Sequence, residues 1–314
     1  MRIALAIGGN ALIRAGEAGT WEQQLANARE IAVEIVALHT AGHQLLLTHG
    51  NGPQVGALML QQALGEAEAP PLPLDVLTAM TQGQIGYLLV TAIAQVEPSL
   101  PTAVLLTRTL VDQRDPAFAT PTKPVGPFYD HDDAGRLAEE RRWDMAPDAG
   151  RGWRRVVASP RPLEVLGTDH VRTLLQAGTV VIAGGGGGIP VVPAGTGVDG
   201  VPGVIDKDRC TAELALAVGA DLLVLLTGVP RVAIDFGTRW ERELSRITVS
   251  DAVRGLAGGE FPAGSMGPKI ESAERFVEAG GSRAVITAAG HVLAAVSGAD
   301  GTWIVPDDDE AVAV

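Results

Sequence analysis

A short apolar run that ends in a glycine turn and gives way to helical spacing recurs along this chain, and no other feature constrains its fold as strongly. Ile3-Ala4-Leu5-Ala6-Ile7 runs into Gly8-Gly9-Asn10, followed by helical spacing from about residue 21 to 41 that Gly42 closes. Residues 44–48 run into His49-Gly50-Asn51-Gly52-Pro53, and helical spacing resumes from Gln54 to about Ala63. Similar runs stand at 103–107, 179–183, 222–227 and 284–287. Short apolar strands alternating with helices predict an α/β protein, a three-layer αβα sandwich whose mainly parallel central sheet is covered on both faces. Ligands are expected beyond the C-terminal ends of such strands. From about 112 to 160 the rhythm breaks. That stretch is rich in Pro, Gly and Arg, and Phe118, Phe128, Trp143 and Trp153 within it predict an ordered inserted lid subdomain.

The 314 residues, 46% of them hydrophobic, are enough for two lobes sharing a cleft, about 1–200 and 201–314. A formal net charge of −13 argues against nucleic-acid binding, which needs a basic face to release counterions from phosphates. An acidic protein that binds anions must concentrate its cations locally. The basic residues are nearly all arginine, and lysine stands only at Lys123, Lys207 and Lys269. Those three become candidates for places where a compact ammonium is needed and a planar fork will not fit. The single cysteine, Cys210, excludes an internal disulfide framework, and no apolar run approaches the ~20 residues that span a bilayer. A cytoplasmic protein with no membrane partner is therefore expected.

The motifs sharpen this picture. The turns at Gly8-Gly9-Asn10 and Gly50-Asn51-Gly52-Pro53 follow strands, so their backbone N–H groups would aim at one cleft and hold a phosphate or carboxylate, although either alone reads first as an ordinary tight turn. The run Gly184 to Gly188 is more glycine than a turn requires and suggests backbone lying against a ligand, with a structural bend as the alternative. No Walker A motif or kinase-type glycine loop is present. Asp206-Lys207-Asp208 stands where a helix begins, and Gly264-Ser265-Met266-Gly267-Pro268-Lys269 leads into another. In phosphoryl transfer such lysines neutralise developing charge and a carboxylate orients them, while the bland reading is a surface ion pair. His49 reads as a hydrogen-bonded structural residue, and Cys210 as a small helix residue. No His or Cys stands at metal-ligand spacing.

Taken together, Gly8-Gly9-Asn10-Ala11, His49 to Gly56, Ala79 to Tyr87, Pro121-Thr122-Lys123-Pro124, Gly185 to Val191, Ile205 to Asp208 and Gly264 to Lys269 resemble the amino-acid kinase superfamily and, within it, the carbamate kinases. The resemblance spans nearly the whole chain. It implies a homodimer that transfers a phosphoryl group reversibly between ATP and carbamate with Mg²⁺, commonly toward ATP in arginine catabolism by the arginine deiminase route. It further implies that the N-terminal lobe binds carbamate, the C-terminal lobe binds the nucleotide, and the lid closes over both. Carried over by position, Gly8, Gly9, Asn10, Gly50, Asn51 and Gly52 would hold carbamate and the transferred phosphoryl. Lys123, Lys207 and Lys269 would offset charge, Asp208 would organise the lysines, and Thr227, Gly228, Val229 and Met266, with Lys269, would line the nucleotide site.

The chemistry agrees with this assignment. Carbamate is already an anion and needs no general base, so positioning and cations should carry the catalysis. Acetylglutamate kinases carry a lysine just before the first Gly-Gly, where this chain has Ala6. Two rivals stay open: a kinase of another acylated acceptor, which would need a further basic residue in the pocket, and a nucleotide-binding sensor, which would have lost one of the charged residues.

Overall fold

The computed structural model describes residues 1–308 apart from 15, 149–151 and 263, and the backbone but not the side chain of Asn10. The apolar runs pair into an eight-stranded sheet in the order Arg246–Thr248, Thr302–Val305, Arg283–Ala288, Leu222–Thr227, Arg2–Ile7, Gln44–His49, Val180–Ile182, Thr102–Val104. All neighbours are parallel except Arg283–Ala288 with Thr302–Val305.

Alternation along Arg2–Ile7 builds the three layers. Ile3, Leu5 and Ile7 point into one core with Ile31, Ile35, Leu88 and Leu89, which come from helices Trp21–Thr40 and Leu74–Val96. Ala4 and Ala6 point the other way, toward Leu214, Ala215, Ile270 and Ala273 of helices Lys207–Val218 and Met266–Glu278. Period-two side chains on a central strand with both faces buried require this split. The small alanines let helix Lys207–Val218 approach the sheet closely, which brings its N-terminus to the strand ends.

Between the strand pair Arg108–Val111 and Pro162–Val165 lies a separate body. It consists of a three-stranded antiparallel sheet, Lys123–Tyr129, Trp153–Val157 and Met145–Pro147, with helix His131–Arg141. It docks on helix Gly52–Gly65 through Gly126, whose backbone lies against Gly56 so closely that a Cβ on Gly56 would collide with it.

Helix Leu74–Val96 departs from expectation. Its 23 residues are long and apolar enough to cross a membrane by length and composition. Thr78, Thr81 and Gln82 interrupt the apolar run in the sequence, and in the fold those three are buried, with 56% of the helix's apolar 18-residue stretch packed inside the protein.

Candidate active site

The three lysines of the chain meet around two carboxylates. Lys207 opens helix Lys207–Val218, and Asp206 is its N-cap, with Oδ1 accepting from the backbone N–H of Asp208 at 2.9 Å and of Arg209 at 3.3 Å. An aspartate is among the preferred caps because it satisfies orphan N–H groups and complements the helix dipole. Its other oxygen, Oδ2, accepts from Lys123 Nζ at 2.6 Å, and Lys123 is the first residue of the insertion's strand Lys123–Tyr129. Asp208 divides its carboxylate in the same way: Oδ1 takes Lys207 Nζ at 2.5 Å, and Oδ2 takes Lys269 Nζ at 2.8 Å from helix Met266–Glu278. Three ammonium groups against two carboxylates leave a local excess of positive charge in a chain of net charge −13.

Burial and pairing set the protonation of this cluster. Loss of solvent lowers Lys207 to about 8; the like charge of Lys269 adds to that depression, and Asp208 and Asp206 oppose it. Burial also pulls on Lys269, but Asp208 outweighs it and raises the ammonium above its ordinary range. Burial would push both aspartates up, yet the facing lysines hold each of them below the usual carboxylate range. Paired with lysines and held below the usual carboxylate range, both aspartates are weak bases toward a substrate.

The glycine turns close on this cluster. A Cβ on Gly50 would stand 3.2 Å from both Gly9 N and Lys207 Cδ, so the two strand-end turns and the lysine stem are in contact. Gly52 faces the Pro124 carbonyl of the insertion, and Gly8 faces the Leu226 carbonyl, one residue before Thr227. The Asn51 side chain is buried and donates Nδ2 to Thr81 Oγ1 at 2.9 Å, so it makes no side-chain cap on helix Gly52–Gly65. Ser265 likewise leaves helix Met266–Glu278 without a side-chain cap. Uncapped N-termini present free N–H groups and a positive dipole end suited to anions.

Other expected residues sit differently. Thr227 ends strand Leu222–Thr227, and Gly228 and Val229 are exposed at the same carboxyl edge, with no described bond to the lysine cluster. Met266 is one turn before Lys269 and packs partly against the core. The side chain of Asn10 lies outside the described residues. The run Gly184 to Gly188 corrects the expectation of backbone held against a ligand. These residues are buried against the protein itself: Gln82 Nε2 donates to the Gly185 carbonyl at 2.9 Å, Thr109 Oγ1 donates to Gly187 at 3.0 Å, and Gly186, at φ +64°, has no room for a Cβ beside Asn51. His49 is buried and lowered to about 4 by that burial, so it is neutral, with Nδ1 3.1 Å from the Gly50 carbonyl. Burial pushes the Cys210 thiol up to about 12, leaving it inert.

Two contributors went unassigned in the sequence reading. Asp206 was legible only as one member of a charged triplet, although an aspartate one residue before a helix is a cap signal. Thr81 holds Asn51, and no local pattern joins residues thirty apart. Among the described residues no group of three or more His, Cys, Asp or Glu could hold a metal.

A sheet with lysine-bearing helix ends and glycine turns at its carboxyl edge defines a phosphoryl-handling protein, and the comparisons agree. Residues 1–288 match the model of the Amino acid kinase family, to which the chain belongs; it is a phosphotransferase. Within that family it falls among the carbamate kinases. It is 44% identical to the carbamate kinase of Thermococcus kodakarensis over 97% of this chain and 99% of that one. It is 46% identical to the carbamate kinase of Halobacterium salinarum over 97% and 98%. Among solved structures, the carbamate kinase from Giardia lamblia bound to AMP-PNP superposes with a TM-score of 0.89 at 40% identity, covering 98% of each chain.

Proposed function

We propose that this protein transfers a phosphoryl group reversibly between ATP and carbamate, and that it runs toward ATP from carbamoyl phosphate and ADP. The observation that carries this reading is the convergence of Lys123, Lys207 and Lys269 on Asp206 and Asp208 beside the turns of Gly9 and Gly50. Both reactants are anions, so the barrier is electrostatic. Three fixed ammonium groups in a site of low dielectric meet that need, and no base is required because carbamate is already an anion. Carbamoyl phosphate is a mixed anhydride, which favours transfer to ADP; the arginine-catabolic setting and a cytoplasmic location rest on the family resemblance.

In this reading Gly8, Gly9, Asn10, Gly50, Asn51 and Gly52 hold the acceptor and transferred phosphoryl, the lysines span both reactants, and Thr227, Gly228, Val229 and Met266 line the nucleotide end. The body between residues 112 and 160 serves as the lid. With both aspartates occupied by lysines, Mg²⁺ would be held by the nucleotide's own phosphates and would supply charge shielding there.

The homodimer is also part of this reading. Met80 and Tyr87 are exposed on one face of helix Leu74–Val96, Gly83 between them has nothing within 4 Å of where a Cβ would be, and Thr102–Val104 is an edge strand of the main sheet. A mid-helix glycine that destabilises by about 1 kcal/mol relative to alanine, and that the chain's own packing does not use, fits close approach by a second copy.

The test is ATP formation by purified protein from ADP, Mg²⁺ and carbamoyl phosphate, with acetyl phosphate and acetylglutamyl phosphate in parallel. Preference for carbamoyl phosphate is expected. Equal or better transfer from another donor would reassign the acceptor.

A further inference from the structure

Asp206 bonds at once to the inserted body and to the first turn of a helix that packs on the main sheet. We propose that Asp206 is a positioning residue that couples seating of the insertion to the placement of Lys207 and Asp208, so that the charge cluster is complete only when Lys123 is docked. This rests on the phosphoryl-transfer reading and goes beyond it, because it assigns the coupling to a carboxylate that need not touch substrate.

The division of labour between its two oxygens carries the proposal. Oδ1 fixes the first turn of helix Lys207–Val218 through the Asp208 and Arg209 N–H groups, which aims the neighbouring Lys207 and Asp208 side chains. Oδ2 receives Lys123 Nζ at 2.6 Å from a body anchored elsewhere by Gly126 on Gly56. Lys123 belongs to a strand 83 residues away in sequence, and it is the only lysine of the insertion. If Lys123 moves away, Asp206 keeps its cap but holds a carboxylate oxygen, nearly buried, without its partner. Removal of one partner from such a pair is strongly unfavourable, so the open arrangement is disfavoured until something else supplies the charge. A phosphorylated substrate cannot do so, being itself an anion; it competes for Lys123 and rewards the arrangement in which that lysine is already in place. Lys207 reports the same coupling. The charged groups facing it are Asp208, Lys269 and Asp206, with Lys123 on the far side of Asp206, and the Asp206 charge helps to hold the Lys207 proton.

The test compares Asp206→Asn, which keeps an oxygen for the helix cap and loses the charge, with Asp206→Ser, which keeps a capping hydroxyl and cannot reach Lys123. In the parent, provided it transfers phosphoryl from carbamoyl phosphate, either substitution should lower kcat about 100-fold, the scale of a misplaced reacting group, while KM for ADP changes less than about threefold. The alkaline limb of kcat/KM should move to lower pH in Asp206→Asn. Lys123→Met with Asp206→Asn should be no worse than Lys123→Met alone, because the two act as a unit. Faster amide hydrogen exchange over residues 123–147 in Asp206→Asn is expected with or without turnover, so it separates failure of this coupling from failure of the kinase reading. Independent, multiplying losses in the double variant, or exchange in the insertion identical to the parent, would overturn the proposal.

Discussion

Lys269 Nζ and Asp208 Oδ2 lie 2.8 Å apart and join helix Met266–Glu278 to helix Lys207–Val218 across the carboxyl edge of the sheet. Both side chains are nearly buried, and the second Asp208 oxygen holds Lys207. Asp208→Ala would leave two ammonium groups facing each other with only Asp206, already paired with Lys123, to offset them, so it should destabilise by about 3–5 kcal/mol. Urea unfolding checks this; an unchanged midpoint would show that the pair does not bind the two helices. Lys207→Met removes charge stabilisation at the transferring phosphoryl and should lower kcat by about 10²–10³ while ADP affinity stays within a few-fold. Equal losses in turnover and affinity would sink that role.

The same cluster sets two pH dependences of opposite origin. Lys207 is lowered to about 8 by burial, and transfer needs it charged, so kcat/KM should fall as pH rises through about 8. For stability the sign is separate: between about 8 and its ordinary 10.5 the unfolded chain binds the proton that the native state has lost, so this group makes stability rise with pH there. Asp206 and Asp208 are depressed when folded, so the stability they contribute is present above the ordinary 3.8 and disappears as pH falls below it. Denaturant midpoints at pH 7, 5 and 3 should show that loss only in the last interval.

Much of this site was legible because phosphate chemistry uses glycine and lysine in ways that leave local traces. The scarcity of lysine singled out Lys123, Lys207 and Lys269, and the structure brings all three to Asp206 and Asp208. Six strands of the main sheet were readable from apolar runs, whereas the short strands Arg246–Thr248 and Thr302–Val305 at one edge were not. Helix Leu74–Val96 was not, because Thr78, Thr81 and Gln82 are buried polar residues with specific partners that break its apolar pattern. The glycine run misled for a related reason. Glycine marks close approach but does not say by what, and here Asn51, Thr109 and Gln82 are the neighbours.

Gly56 tests close approach where the insertion docks. An exposed mid-helix glycine replaced by alanine gains up to about 1 kcal/mol of helix propensity. At Gly56 the new Cβ would meet the Gly126 backbone, which cannot step aside as a flexible side chain could. Gly56→Ala should therefore destabilise by about 1–3 kcal/mol and lower turnover by shifting Lys123 from Asp206. Gly65→Ala on the same helix, with nothing within 4 Å, is the control and should be neutral or stabilising. A Gly56→Ala protein with parental melting and turnover would mean that the insertion docks more loosely than this contact requires.

Tyr87 is 64% exposed, and its ring stacks on Trp21 at 5.6 Å, on the face proposed to meet a second copy. A charge placed there is harmless to a monomer and is desolvated in a dimer. Tyr87→Asp should shift the sedimentation-equilibrium mass from twice the chain mass toward 32.5 kDa. A parent that sediments as a monomer would remove this face from consideration as an interface.

Glu34 supplies a test far from the chemistry. It is a carboxylate of helix Trp21–Thr40, 6% exposed, with Oε1 accepting from the N–H of Val292 at 2.8 Å and of Leu293 at 3.4 Å, and Oε2 from Gly290 at 2.9 Å. Helix Val292–Val296 has no cap of its own at His291, so Glu34 caps it from across the chain. Glu34→Ala would orphan the buried N–H of Val292, costing about 1–3 kcal/mol, and take the acceptor from the less buried N–H groups of Gly290 and Leu293, while Glu34→Gln would retain one acceptor and turn its NH₂ toward a donor. The order of stability should be parent, then Gln, then Ala, read as urea midpoints, with kcat and KM of the folded fraction unchanged. Should Gln match the parent, a neutral acceptor is sufficient at Oε1, and the charge of Glu34 contributes nothing to holding this helix.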